Sequence, residues 1–323
     1  MPLQPTLSVF MLAYNHEPYI AQAIQSILDQ KTDLDFELVI GEDFSKDNTR
    51  AIILEFKQKY PEKITVIENT TNVGMHENFL RTLFSCRGKY LCICEGDDYW
   101  NNPDKLNLQY QFLESNPQYV LVCGNHTRYI QNTGQFERGN PATEPDHDIA
   151  FEKLIKFNCI TTATIMFRNV LTREDFAPDF FSIISCDWYL YMKLLSHGKI
   201  RYVNNNLAVY RINEGSINGR TNRLTIAKKE MDFMELVKRG SLIALDASKT
   251  TALANAMVFK NFDIAQANAV NGNKKVAFRL GTYALRHSFS LVSIKEFIKT
   301  MLLIVSPGLF QAVRKVKRYF SRQ

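Results

Sequence analysis

The chain has 323 residues, 46% of them hydrophobic and 12% aromatic, which is enough to fill one large or two smaller cores and excludes a disordered chain. Its opening, "MPLQPTLSVFMLAYN", shows no charged leader and no cleavable apolar run, and no stretch reaches the roughly 18–20 apolar residues of a membrane span, so an intracellular protein is expected. The net charge of +6 is uneven: residues 1–220 carry 21 basic and 27 acidic side chains and residues 221–323 carry 18 and 6, a split that suggests a polyanionic partner for the C-terminal region.

In chain order, "LSVFMLA" (7–13) is a short apolar run and predicts a buried strand. After the polar "YNHEP", Ile20, Ala23, Ile24, Ile27 and Leu28 recur at helical spacing within 19–30. "FELVIGED" (36–43) predicts a second strand ending in acids, and 47–60 a helix with Asp47 as its N-cap. Residues 63–69 predict a third strand, 75–86 a helix, and "KYLCICEGDDYW" (89–100) a fourth strand that runs into three acids. Pro103 introduces a helix over 102–117, and a strand follows at 119–124. Residues 131–150, rich in Gly, Pro, Asn and Asp, are expected to form a mobile loop. A strand is expected at 161–168, a helix at 186–198, a strand running into a polar loop over 207–218, and a helical region from about 225. Strands alternating with helices indicate an α/β fold, a Rossmann-like and mainly parallel sheet flanked by helices, followed by a mostly helical C-terminal region.

Six cysteines in a chain without a leader are expected to be reduced, with Cys92 and Cys94 on one face of the fourth strand as core residues. Ligands of parallel sheets bind at the carboxyl ends of the strands, where "YNHE", "GEDFS" and "CEGDDYW" would converge. An isolated acid pair is usually a solvated turn. Here the acids follow an apolar strand, and Gly96 allows close approach of a ligand. Hard carboxylate oxygens at this spacing suit Mg²⁺ or Mn²⁺ completed by water and diphosphate, so the acids would hold a cation and the cation a nucleotide. Neither a G-x-G-x-x-G after the first strand nor a P-loop is present.

These segments, with "NTTNVGMHENF", taken in this order and spacing over about residues 6–220, resemble the successive motifs of family 2 glycosyltransferases with the GT-A fold, of the bacterial surface-polysaccharide type. The resemblance implies a catalytic domain over 1–222, with a nucleotide-sugar half (1–125) and an acceptor half (126–222), before a helical basic region (223–323). It implies that Tyr14 and Asn15 line the nucleotide pocket, that Asp43 binds the base, and that Asn72, Gly74 and Asn78 lie close to the donor. Glu95, Asp97 and Asp98 occupy the metal and ribose motif, with Asp97 and Glu95 as metal ligands. Glu95 replaces the usual Asp. Asp187 in "SCDWYLYMKL" falls at the catalytic base, although local sequence equally suits a helix cap, and Trp188 and Tyr189 suit either core or a sugar platform. "YRINEGSIN" matches a Y-R-x-H-x-x-S element at Tyr210, Arg211 and Ser216, with Asn213 in place of His; Arg211 could neutralise diphosphate. His16 and His76 are expected to be loop and helix-surface residues.

The implied reaction is an inverting, metal-dependent transfer of one sugar from a nucleotide-diphosphate donor, a UDP-sugar, to a hydroxyl of a glycan or lipid-linked saccharide, in cell-surface polysaccharide synthesis such as O-antigen or capsule. Without Q-x-x-R-W or membrane helices, a non-processive enzyme is expected. Residues 309–323 place Leu309, Phe310, Val313, Val316 and Phe320 on one helical face beside basic residues, a pattern for peripheral binding to the anionic inner face of the cytoplasmic membrane or for packing on the protein body. Nucleic acid is not an expected partner. Two alternatives are a sugar nucleotidyltransferase, which would want a Gly-rich basic first loop, and a non-catalytic nucleotide-sugar-binding protein on the same fold.

Overall fold

A computed structural model describes residues 5–176, 178–183, 185–213, 222–288 and 290–306. The chain divides into two compact units, one formed by residues 1–154 and 158–219 and the other by 155–157 and 220–323.

In the first unit, β1 (Leu7–Ala13), β2 (Phe36–Glu42), β3 (Ile64–Glu68) and β4 (Tyr90–Ile93) pair in parallel in the order β3-β2-β1-β4. β1, β2 and β4 are buried along almost their whole length because helices cover both faces of a parallel sheet, and the buried Ser8 and Glu37 pair with each other at 2.7 Å. The crossover helices are α1 (Ile20–Leu28), α2 (Thr49–Lys59) and α3 (Met75–Leu83). In α1 the four residues Ile20, Ala23, Ile24 and Ile27 are buried, each isoleucine contributing about 1.5–3 kcal/mol. Asp47 is not the N-cap of α2. Asn48 takes that position, while Asp47 Oδ1 accepts from Thr49 N at 3.0 Å and Oδ2 from Glu17 N at 3.1 Å, tying the first loop to the second.

Past β4 the sheet is mixed. β5 (Tyr99–Trp100) and α4 (Lys105–Ser115) lead to β6 (Tyr119–Ile130), and β9 (Met166–Arg168) lies antiparallel between β4 and β6. A 3₁₀ turn over Thr162–Thr164 replaces the first half of the strand expected at 161–168, leaving Met166–Arg168 as strand. β10 (Lys199–Ile212) starts eight residues earlier than expected and runs parallel to β6 and antiparallel to β5; residues 214–218 lie outside those described.

Residues 131–150 are not a structureless loop. β7 (Gln135–Arg138) folds back on β6, and β8 (His147–Asp148) pairs with β10. The fully buried Asn125 holds this segment, accepting from Asn140 N at 2.9 Å and donating to Asn140 O at 3.1 Å and Asn204 Oδ1 at 2.7 Å. α5 (Phe151–Leu154) and α6 (Cys186–Leu195) complete the unit. The six cysteines are free, and all but Cys159 are buried.

The second unit is built on α7 (Arg223–Lys238), α8 (Ala247–Val270), α9 (Lys274–His287) and α10 (Leu291–Val305). Among the described residues no helix is long and apolar enough to cross a membrane. The expected amphipathic segment 309–323 lies outside the described residues.

Candidate active site

The parallel register aligns Ala13 with Glu42 and Phe10 with Ile93, so the carboxyl ends of β1, β2 and β4 open on one edge. The first two loops lock together there: Asn15 N donates to Ser45 Oγ at 3.0 Å, and Asn15 Oδ1 accepts from Lys46 N at 2.8 Å. Asn15 and Phe44 both hold positive φ, 56° and 58°. Tyr14 beside them is 38% exposed, leaving its ring free to meet a ligand.

Asp43, buried after β2, sits in a cradle of donors. Its Oδ1 accepts from Val73 N at 2.8 Å, and its Oδ2 from Gly74 N at 3.0 Å and Asn72 Nδ2 at 3.1 Å. Burial raises its carboxyl above the ordinary range, and the two backbone donors oppose that shift. Asn72 and Gly74 therefore meet Asp43. Asn78 lies beneath them: its Nδ2 donates to Gly41 O at 2.9 Å and its Oδ1 accepts from Asn69 Nδ2 at 3.0 Å. A Cβ at Gly41 would stand 2.0 Å from Thr82 Oγ1 and 2.7 Å from Asn78 Oδ1, so α3 reaches β2 only because Gly41 has no side chain.

The acidic turn follows β4. Gly96 N donates to Leu12 O at 3.0 Å, and a Cβ on Gly96 would come within 2.6 Å of His16 Nδ1. Gly96 thus permits the turn to pack on the end of β1, a contact within the protein. Asp98 is buried and accepts from Arg211 N at 2.8 Å; burial and the neighbouring Asp97 push its carboxyl upward against the pull of Arg211. Asp97 Oδ2 accepts from Asn213 Nδ2 at 3.0 Å, and Asp97 O from Arg211 Nε at 2.8 Å. Burial, reinforced by the charges of Asp97 and Asp187, lifts the Glu95 carboxyl to about 8.

Asp187 lies in the first turn of α6. Its Oδ1 accepts from the Ser185 hydroxyl and from Trp188 N at 2.9 Å, and its Oδ2 from Asn158 Nδ2 at 2.7 Å and Thr162 Oγ1 at 3.4 Å. Trp188 and Tyr189 are core residues: Trp188 Nε1 donates to Leu154 O at 2.9 Å, and Tyr189 stacks on Phe176. Arg211 is buried with its guanidinium committed, donating to Gln131 Oε1 at 3.0 Å and Gln22 Oε1 at 2.7 Å and lying within 4.8 Å of the Tyr19 ring centroid, 5.3 Å of that of Tyr129 and 5.4 Å of that of Tyr99.

Both histidines are more enclosed than expected. His16 Nδ1 is buried without a hydrogen-bond partner, and His76 Nε2 meets Ile183 O at 2.9 Å against the ring of Phe180. Asn158 and Asn213 bond Asp187 and Asp97 yet carry no motif that marks them as partners of the acids. Only Asn213 had a signal, as a departure from an expected His.

The donor set fits a hard divalent cation. Asp97 keeps Oδ1 outside its contact with Asn213, and burial, more than the neighbouring Asp97 and Asp187, raises Glu95, a penalty on its charged form that a bound cation offsets. Among the described residues no group of three or more His, Cys, Asp or Glu side chains is placed to hold a metal ion.

The profile described as Glycosyl transferase family 2 matches residues 8–175. An uncharacterised protein of Mycobacterium tuberculosis is 34% identical over 205 residues, covering 64% of this chain and 58% of that protein. The chain thus spans about three fifths of that relative's length. The UDP-Glc:alpha-D-GlcNAc-diphosphoundecaprenol beta-1,3-glucosyltransferase WfgD of Escherichia coli is 28% identical over 234 residues, 71% of this chain and 85% of that one. In fold, the chain is similar to the mannosyltransferase PcManGT of Pyrobaculum calidifontis in complex with GDP-Man and Mn²⁺, with a TM-score of 0.59 and 15% identity over 98% of this chain and 85% of that one. With just over half of the chain matched by one family, on a sheet whose strand ends gather that family's acids, the affiliation follows: the chain belongs to glycosyl transferase family 2, with the GT-A fold.

Proposed function

We propose that the chain is an inverting, metal-dependent and non-processive glycosyltransferase that moves one sugar from a nucleotide-diphosphate donor, a UDP-sugar, to a hydroxyl of a glycan or lipid-linked saccharide in surface polysaccharide synthesis. The observation that carries this reading is the acidic turn after β4, where Asn213 and Arg211 hold Asp97 on the edge on which Asp43 sits in its cradle. The glucosyltransferase relative, whose name specifies UDP-Glc, and the neighbour bound to GDP-Man and Mn²⁺ support the donor class and the metal.

In this reading residues 1–125 hold the donor and 126–222 the acceptor. Asp43 with Asn72 and Gly74 fixes the base, Tyr14 packs on it, and Asn15 shapes the loop. Asp97 and Glu95 would hold Mn²⁺ or Mg²⁺, which supplies charge stabilisation for the departing diphosphate. Asp187 takes the proton of the acceptor hydroxyl at Oδ2, where Thr162 is the more distant of two donors, while Asn158 and the backbone N–H of Trp188 hold the carboxylate in place. One base is sufficient when attack comes from the face opposite the nucleotide. Arg211, with its donors committed, fixes the acidic turn to β10, and Asp98 receives its backbone N–H.

Calorimetric titration of a panel of nucleoside diphosphates, with and without Mn²⁺, tests the reading on wild type and Asp97→Ala. UDP binding that requires both Mn²⁺ and Asp97 is the expected result. Folded protein that binds no nucleotide would overturn it.

A further inference from the structure

The second unit has a groove of its own, with a cavity volume of 1130 Å³. α8 forms its floor through Leu253, Ala254 and Met257, while Met231 of α7 and Phe278 of α9 are among its walls. Typical small-molecule pockets hold roughly 300–1,000 Å³, so this one has room for a long chain. Methionines line it at two points, and their flexible thioethers adapt to an apolar occupant of irregular shape.

The rim is cationic. Arg279 and Arg286, seven residues apart, lie on one face of α9, and neither forms an ion pair among the described residues. Lys238 joins them, paired at 3.7 Å with Glu235, the single acid among the residues that line the groove, so the unpaired charge of the lining is that of the two arginines. α9 carries Lys274 and Lys275 as well and has no acid.

Charge decides what occupies the groove. The chain's own residues 307–323 contain Arg314, Lys315, Lys317, Arg318 and Arg322 and no acid, so a basic rim repels them. A second copy would bring the same excess of positive charge. The apolar floor, in turn, offers nothing to a bare anion. An amphiphile with a negative head satisfies both halves.

We propose that the groove between α7, α8 and α9 binds an anionic lipid, its chain along Leu253, Met257 and Phe278 and its phosphate against Arg279 and Arg286. The proposal stands apart from glycosyl transfer, and nucleotide binding by the first unit serves as its control.

The test uses the full chain and dihexanoylphosphatidylglycerol below its micellar concentration, titrated calorimetrically. Saturable one-to-one binding is expected, weaker by roughly tenfold or more in Arg279→Glu/Arg286→Glu, as loss of charge-assisted contacts requires. Ala254→Trp, at an exposed floor position, fills the groove and should abolish binding without lowering the unfolding midpoint. The phosphatidylcholine analogue should bind more weakly, and inorganic phosphate at equal concentration should not displace the lipid. No saturable binding, equal binding in both variants, or displacement by phosphate alone would each overturn the proposal. So would a dimer in light scattering that Ala254→Trp dissociates, since the groove would then be a self-interface.

Discussion

Gly74 holds φ 85° and ψ 161°, a region open to glycine and strained for any residue with a Cβ, and its N–H donates to Asp43. Nothing lies within 4 Å of where a Cβ would be, so substitution by alanine is penalised through the backbone alone. Gly74→Ala should lower the unfolding free energy by about 1–3 kcal/mol in urea titration. An unchanged midpoint would show that the loop adapts and that the conformation is not needed. Neighbouring side chains divide by what they touch. Asp43 gathers the donors of residues 72–74, whereas Asn78 spends its amide on Gly41 and Asn69, beneath the sheet. Their spacing in the sequence does not separate these roles, because a buried amide and one facing a ligand have the same composition around them.

At the level of elements, the segment from β6 to β8 shows how non-local hydrogen bonding makes structure from a stretch with loop composition. Asn125 and Asn204 bond backbone groups at 140–144 from positions up to 63 residues distant, a link no local pattern reveals. His126 lies in the same hairpin, its Nδ1 3.0 Å from Thr161 Oγ1, with Gly139 close against the ring and Tyr210 edge-on to it. Burial, reinforced by the charge of Arg128, lowers its imidazole from 6.5 to about 4. A depressed histidine contributes stability above its unfolded value and loses it as pH falls through the folded one. Wild type should therefore lose unfolding midpoint relative to His126→Gln between pH 6.5 and about 4. A difference between the two that stays flat across that range would refute the assignment.

For the molecule as a whole, charge is distributed by unit. Residues 221–323 hold 18 basic and 6 acidic side chains, and the apolar positions of 309–323 extend the basic pattern to the end of the chain. Deleting 309–323 should move the protein from the membrane to the soluble fraction while leaving short-chain lipid binding in the groove intact. Unchanged partitioning would count against a membrane role for that segment. Cys92 in β4 and Cys94 just past its end are buried thiols whose ionisation burial opposes, in keeping with core packing.

The sequence by itself determined the parallel half of the sheet. β1 spans Leu7–Ala13, the expected run itself, because a strand covered on both faces reads as a nearly continuous apolar run, broken here by Ser8, whose hydroxyl is paired with Glu37. It determined equally that acids gather where β2 and β4 end. Tertiary structure alone decided which of those acids feel one another's charge: Asp187 lies 92 positions beyond Glu95 in the chain and acts on its carboxyl only through folding. It also decided that Arg211 is saturated, that Trp188 and Tyr189 are core, and that residues 131–150 form paired strands. The physical reason is one of range. Hydrophobic periodicity is a local property that the chain displays along its length, whereas hydrogen-bond partners and the desolvation of charge depend on groups that are neighbours only once the backbone has closed.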